Sequence, residues 1–466
     1  MTAELAVGLA LCAIFIAFAA LMYTGKLPAI AALPLMAAGL FLTAAIFFPN
    51  LAETFPGPRW LGVLKGFFTV VISDGMGKMW HYMIAVILGA ALAEQLKTSG
   101  AGKAIIRWAS ELGGDNPTVV SLVLMLVCAL LFTSLGGLGA VIMVASIVLP
   151  VLLAIGVTAE AAGCIFLLGL CLGGLFNPVN WQFYITALQL ETGQVTTFAI
   201  PLFFLFLIVS VVFVVLNTRR GRSSSFWAAA VSAGSEPQPG AAGLLTPLVP
   251  LAILLPFYGW KMLLTLGQMY RWGFLSRFAM PQWDFPINAA LLIGVLWGAL
   301  FMPRPAQGRI QGLIKNIFDG VAATAPVAAL IIGIGMIINV VWSPAVAYYM
   351  APLINKIIPS SPVAYVLVFT ALAPLALYRG PLNVWGMGIA MAGLMMTSGK
   401  LPAVAIMAML MSVGQIQGVS DPTNTHNVWL AGYLGVDVQV FSRKTLGYMW
   451  ILAVIGLCLS AALFVK

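Results

Sequence analysis

Several stretches of this chain are apolar for nearly the length of a membrane crossing. They lie at 5–24, 28–48, 119–132, 198–216, 287–302, 322–341 and 446–465. Most approach the ~20 residues a helix needs to cross ~30 Å of hydrocarbon. Hydrocarbon offers the backbone no hydrogen-bond partner, so each run is read as a helix that satisfies its own peptide groups. Composition agrees, with 62% hydrophobic and only 8% charged residues, where a soluble domain carries roughly 25% charged. The expected class is an all-α, multi-pass integral membrane protein of the cell (inner) membrane, embedded in the lipid bilayer. The first run follows Met1-Thr2-Ala3-Glu4 without a basic flank, so it reads as a retained helix rather than a cleaved signal.

The few charges total +9. In so apolar a chain that excess points to cytoplasmic loops rich in Lys and Arg, and no nucleic-acid partner is expected. Arg219-Arg220-Gly221-Arg222 is the densest basic cluster and is assigned to the cytoplasm. Cys12, Cys128, Cys164, Cys171 and Cys458 all sit in apolar sequence without a CxxC pair, which reads as small core hydrophobes rather than a disulfide or metal framework. Only two histidines occur, and HExxH, GxSxG and phosphate-loop motifs are absent. The chain is therefore not expected to be an enzyme, and it implies no cofactor beyond Na⁺ as a coupling ion.

A Ser-, Gly- and Pro-rich stretch divides the chain. Residues 219–244 read as a cytoplasmic linker, with 1–218 as a first transmembrane repeat and 245–466 as a second. Seven apolar segments are expected on each side. If an odd number of them cross the membrane, the second repeat starts on the opposite side and is inverted. Re-entrant hairpins among the seven leave that parity, and the side of the N-terminus, open.

The strongest functional signal is a pair of matched interruptions. Gly136-Gly137-Leu138-Gly139 and Asn177-Pro178-Val179-Asn180 break the first half, and Gly380-Pro381-Leu382-Asn383 and Asp421-Pro422-Thr423-Asn424 break the second. Each second-half position is its counterpart plus 244 (380 − 136 = 422 − 178 = 244). Gly-Gly and Asn-Pro unwind helices, and irregular backbone at membrane depth survives only inside protein or beside a water-filled cavity. Freed N–H groups at a half-helix N-terminus suit a carboxylate, and freed carbonyls suit Na⁺. Matched broken helices in two halves are thus the sequence pointer to a transporter's binding site. The plainer alternative is that the prolines are kinks and the asparagines interhelical glue.

Particular residues carry the chemistry. Arg379 opens the second interruption where the first has Leu135. A planar guanidinium suits a carboxylate better than lysine does, although an interfacial loop arginine is the bland reading. Asp421 stands where the first half has Asn177, adding a carboxylate able to hold Na⁺ or a proton. His426 is either a proton relay or a hydrogen-bonded structural imidazole. Gln415 and Gln417 could line the same cavity. Glu94 and Lys97 are close enough for a local pair, and His81 reads as interfacial.

These motifs resemble the ion transporter superfamily, which includes citrate, gluconate and C4-dicarboxylate carriers and Na⁺/H⁺ antiporters. The resemblance lies in Thr133-Ser134-Leu135-Gly136-Gly137 with Asn177-Pro178, and in their partners at Arg379-Gly380-Pro381 and Asp421-Pro422-Thr423-Asn424-Thr425. It implies hairpin tips meeting discontinuous helices near the midplane, elevator-like movement and a homodimer. The chain departs from those carriers in having few hydroxyls at Gly136 to Gly139. The reading is a secondary transporter of a small organic anion (citrate, a dicarboxylate or a sugar acid) coupled to H⁺ or Na⁺. Substrate contacts are expected from Ser134, Gly136, Gly137, Asn180, Arg379, Gly380, Asn383, Thr423 and Asn424, and cation coupling from Asn177, Asp421, Thr425 and His426. A cation/proton antiporter on the same scaffold is the alternative, and a passive channel fits paired broken helices poorly.

Overall fold

A computed structural model describes residues 3–24, 26–112, 116–218, 240–269, 273, 274, 277, 278, 283–303 and 308–465. Among them secondary structure is helical, with no strand. Among the described residues nine helical stretches are long and apolar enough to span a membrane, or ten if one sharply bent pair counts as a span. The basic cluster and most of the expected linker, 219–239, lie outside the described residues.

The first half opens with α1 (Ala3–Tyr23) and α2 (Ala29–Phe47), followed by the short α3 (Leu51–Thr54). Next come α4 (Arg59–Gly66), a π-helical stretch over Phe67–Ser73, α5 (Asp74–Gly77), α6 (Trp80–Thr98) and α7 (Ala101–Leu112). The half continues with α8 (Pro117–Phe132), α9 (Gly137–Ala154), α10 (Ala159–Leu175), α11 (Pro178–Leu188) and α12 (Thr192–Thr218).

After α13 (Ala241–Leu244), the second half runs through α14 (Val249–Met269), α15 (Ile287–Phe301), α16 (Arg309–Val341), α17 (Pro344–Ile354) and α18 (Pro362–Leu372). A 3₁₀ stretch, Ala373–Arg379, and a π-helical turn, Val384–Gly388, lead into α19 (Ile389–Ser398). The half closes with α20 (Ala403–Ser420), α21 (Thr425–Leu434) and α22 (Gln439–Phe464). The seven apolar runs at 5–24, 28–48, 119–132, 198–216, 287–302, 322–341 and 446–465 fall on α1, α2, α8, α12, α15, α16 and α22. Two of the spans are long, running over Arg59–Thr98 and Arg309–Val341. Lys65, Asp74 and Lys78 in one, and Lys315 and Asp319 in the other, dilute the hydropathy of their leading turns.

The helices that precede the Pro-containing breaks form the centre. α10 and α20 begin 244 residues apart (403 − 159) and are buried along nearly their whole lengths. A helix apolar all round belongs in such a position. Small residues let α10 approach α8: a Cβ on Gly169 would come within 2.6 Å of the Met125 carbonyl oxygen, and one on Gly173 would collide with that of Ala129. This is the close backbone packing that membrane helices use where no hydrophobic drive exists between them. Cys128, Cys164 and Cys171 are buried, as expected of core hydrophobes, whereas Cys458 is exposed on α22.

Candidate functional site

Both halves contribute to a cavity of about 420 Å³. Its lining includes Ser134, Gly136, Gly137, Asn177 and Asn180 from the first-half interruptions. Asn383, Asp421, Thr423, Asn424, Thr425 and His426 come from those of the second half. Segments 244 residues apart therefore meet around one space.

At the first-half Pro break, α10 and α11 bend by 56°. Pro178 opens α11, where its missing N–H costs nothing. Asn177 caps that helix, its Oδ1 accepting from Val179 N at 2.9 Å. Its Nδ2 donates to the carbonyls of Phe132 and Leu135, both at 3.1 Å. The buried amide thus ties the helix break to the tip between α8 and α9. Asn180 Nδ2 donates to the Gly174 carbonyl at 2.8 Å. Ser134 is buried, and its hydroxyl donates to the carbonyl of Pro247 in the second half.

The tip itself is open. Gly136 to Gly139 are exposed, and a Cβ on Gly136, Gly137 or Gly139 would meet nothing within 4 Å. Gly136 caps the 18-residue α9 without a side-chain hydrogen bond, and the first residues of that helix line the cavity. Gly137 has φ +80°, a conformation that favours glycine. An open helix N-terminus of this kind is the place where anions bind in other proteins.

The second-half tip is built differently. Gly380 is buried and is not among the cavity-lining residues; an added Cβ would collide with the Leu375 carbonyl oxygen. Tyr378 is one of two non-glycine residues with positive φ among the described residues (φ 55°). Its N–H donates to Asp421 Oδ1 at 3.1 Å. The same oxygen accepts from Thr423 N at 2.9 Å and Thr423 Oγ1 at 2.7 Å. Asp421 Oδ2 accepts from Asn383 Nδ2 at 3.3 Å, and Nδ2 also donates to the Ala376 carbonyl at 3.0 Å. Asp421 is 1% exposed and has no ion-pair partner among the described residues. The Arg379 side chain lies outside the described residues; its backbone ends the 3₁₀ stretch.

α21 starts at Thr425, capped by Asn424 without a side-chain hydrogen bond. Asn424 Nδ2 instead reaches the Gln417 carbonyl at 3.4 Å. Gln417 lines the cavity and accepts from Val384 N at 2.8 Å, whereas Gln415 is not among the lining residues and bonds back to Met411. His426 lines the cavity, and its Nε2 is buried without a partner.

Sequence reasoning passed over several lining residues. Tyr82 and Trp385 stack with centroids 6.2 Å apart, and Phe183 packs behind Trp385 at 4.8 Å. Glu94 and Lys97 form the expected pair at 3.0 Å, yet both also line the cavity. A lysine at the end of an otherwise apolar run was the available signal. The aromatics carried none, because isolated Tyr and Trp occur throughout membrane helices. His81 is exposed and stacks on Trp80.

The fold has solved counterparts. It is similar to the crystal structure of the YdaH transporter of Alcanivorax borkumensis, with TM-score 0.57 and 16% identity over 86% of this chain and 88% of that one. It is also similar to MtrF of Neisseria gonorrhoeae, a structure that illuminates a class of antimetabolite efflux pumps. There the TM-score is 0.54 and the identity 11%, over 93% of this chain and 95% of that one. No protein-family model and no curated protein matches the sequence. At these identities the likeness is one of fold.

Proposed function

We propose that the chain is a secondary active transporter of a small organic anion, coupled to H⁺ or Na⁺. The observation that carries this reading is the meeting of both pairs of interruptions around one cavity. A cavity of that size lies within the ~300–1,000 Å³ range of small-molecule sites. The uncapped, glycine-lined start of α9 offers N–H groups to a carboxylate, and Asn180, Asn424 and Thr423 stand around the same space. The likeness in fold to a transporter and to an efflux pump supports transport as the activity. From the sequence, Arg379 is retained as a partner for the substrate carboxylate, and Asn177, Asp421, Thr425 and His426 as the set around which the cation couples. An inverted relation of the halves, elevator-type movement and a homodimer belong to the same proposal.

The second reading is a cation/proton antiporter, favoured by one observation: a buried Asp421 without an ion pair among the described residues. Reconstituted vesicles separate the two. Uptake of labelled citrate, succinate or gluconate driven by an H⁺ or Na⁺ gradient supports the anion carrier. Dissipation of a pH gradient by Na⁺, with none of these anions moved, supports the antiporter. Arg379→Ala is expected to abolish anion uptake while the protein stays inserted and folded; wild-type uptake by that variant removes Arg379 from the site.

A further inference from the structure

We infer that Lys97 binds the substrate's carboxylate, and that Glu94 is a built-in competitor that holds the ammonium until the anion displaces it. The inference rests on the anion-carrier reading above and deepens it by naming a cation that receives the anion and the group it replaces.

Among the described residues that line the cavity, Lys97 is the one with a permanent positive charge. Its Nζ donates to both oxygens of Glu94, at 3.1 and 3.0 Å. The pair also stands beside the open tip. Met143 of α9 lines the cavity, and its Cε lies 3.4 Å from where a Cβ on Gly102 would stand, five residues past Lys97. That contact sets the junction of α6 and α7 beside the first two turns of α9, which begin at the uncapped Gly137. Asp421, the other carboxylate of the lining, is already held by four hydrogen bonds and is no rival for the ammonium.

The plain account of such a pair is that it steadies the end of a helix. Lys97 suits that account, because the last turn of α6 favours a cation. Glu94 does not, since it lies four residues before the end of α6 at Thr98, toward the negative end of the same dipole.

The second half supplies an internal comparison. α6 and α16 are packed together, and their contacts exchange between the halves. A Cβ on Gly75 would come within 2.9 Å of Met336 Cα, and one on Gly320 within 2.8 Å of Ala91 N. Both members shift by one offset (320 − 75 = 336 − 91 = 245). At that offset Glu94 corresponds to Asn339 and Lys97 to Trp342. Neither counterpart is among the cavity-lining residues. Asn339 donates to the Val70 carbonyl at 2.9 Å, and the Trp342 ring lies 4.8 Å under the Lys78 ammonium. The same place in the same crossing is thus built without an ion pair. The fold does not require one there, and the half that has it turns it toward the cavity.

The exchange is physically easy. The Lys97 side chain is 51% exposed and that of Glu94 15%, and a pair open to solvent holds weakly. An entering carboxylate offers the ammonium the same charge-assisted bonds. Glu94 is released to solvent at the cavity wall, so the bound anion feels its charge and binds less tightly than Lys97 alone would allow.

The test measures the affinity of purified protein for gluconate, succinate and citrate at one pH, with unfolding midpoints in detergent to show that each variant is folded. Lys97→Gln is expected to weaken binding about tenfold, as loss of a bond to a charged group does. Lys97→Arg, which keeps the charge, is expected to stay within about threefold of wild type. Glu94→Gln is expected to tighten binding by up to about fivefold, and to do so less in the Lys97→Gln background, where there is no pair to break. Unchanged affinity in Lys97→Gln, an equal loss in Lys97→Arg, or a Glu94→Gln effect as large without Lys97 as with it overturns the inference and leaves the anion carrier standing. Binding of none of the three anions by the wild type overturns the anion-carrier reading itself.

Discussion

The two Pro-containing breaks occupy matched positions and solve one problem with opposite hydrogen-bond polarity. At the first, the Asn177 amide donates to the Phe132 and Leu135 carbonyls. At the second, Asp421 accepts from Tyr378 N–H, and the donor to the Ala376 carbonyl is Asn383. Ala376 is the counterpart of Phe132, and Tyr378 that of Ser134, at the same offset of 244. The Asn-to-Asp exchange seen in the sequence is thus part of a reversal that also recruits Asn383, whose counterpart is Gly139. The outcome differs too. The first tip is open and glycine-lined, whereas the second is packed and latched by a carboxylate.

Exchanging the polar residues is the harshest challenge to this comparison. Asn177→Asp places a carboxylate against two carbonyl oxygens in a buried site. The expected loss is about 3 kcal/mol or more of stability, read as a lowered midpoint of denaturant unfolding in detergent. Asp421→Asn keeps the shape but weakens an acceptor that takes four bonds. About 2 kcal/mol is expected, since hydrogen bonds to charged groups contribute most, and the unfolding midpoint again measures it.

The glycines sharpen the contrast. Gly380→Ala drives a methyl into the Leu375 carbonyl and is expected to cost about 1–3 kcal/mol, as overpacking does. Gly136→Ala, with open space around it, is expected to change stability by no more than about 0.5 kcal/mol while reducing anion uptake in vesicles. Equal stability losses in the two variants would erase the distinction between a packed and an open tip. A comparably small effect on stability is expected at Lys97, half exposed and paired with Glu94. Lys97→Gln should cost less than about 1 kcal/mol of stability, and should show itself in anion affinity instead.

Much of this was legible without coordinates. The apolar runs announced the helices, and the shared offset of 244 located both pairs of interruptions that line the cavity. Less visible were the short helices α7 and α17, which lie outside the long apolar runs of the sequence. Also hidden was the closed state of the Gly380 tip, since a glycine letter does not say whether its missing Cβ faces a carbonyl or empty space. Asn177 and Asn383 look alike as candidate ligands, but tertiary contacts commit both amide nitrogens to backbone carbonyls.

By itself, then, the sequence determined a helical membrane protein with broken segments at two matched places. Hydrophobic length and the local chemistry of Gly, Pro and Asn act within a few residues and need no knowledge of neighbours. Only the tertiary structure decided which polar atoms are already satisfied and which still face the cavity. A hydrogen-bond partner 40 residues away in the chain becomes a neighbour only through packing, and there Asp421 is surrounded by donors while His426 keeps a nitrogen unpartnered.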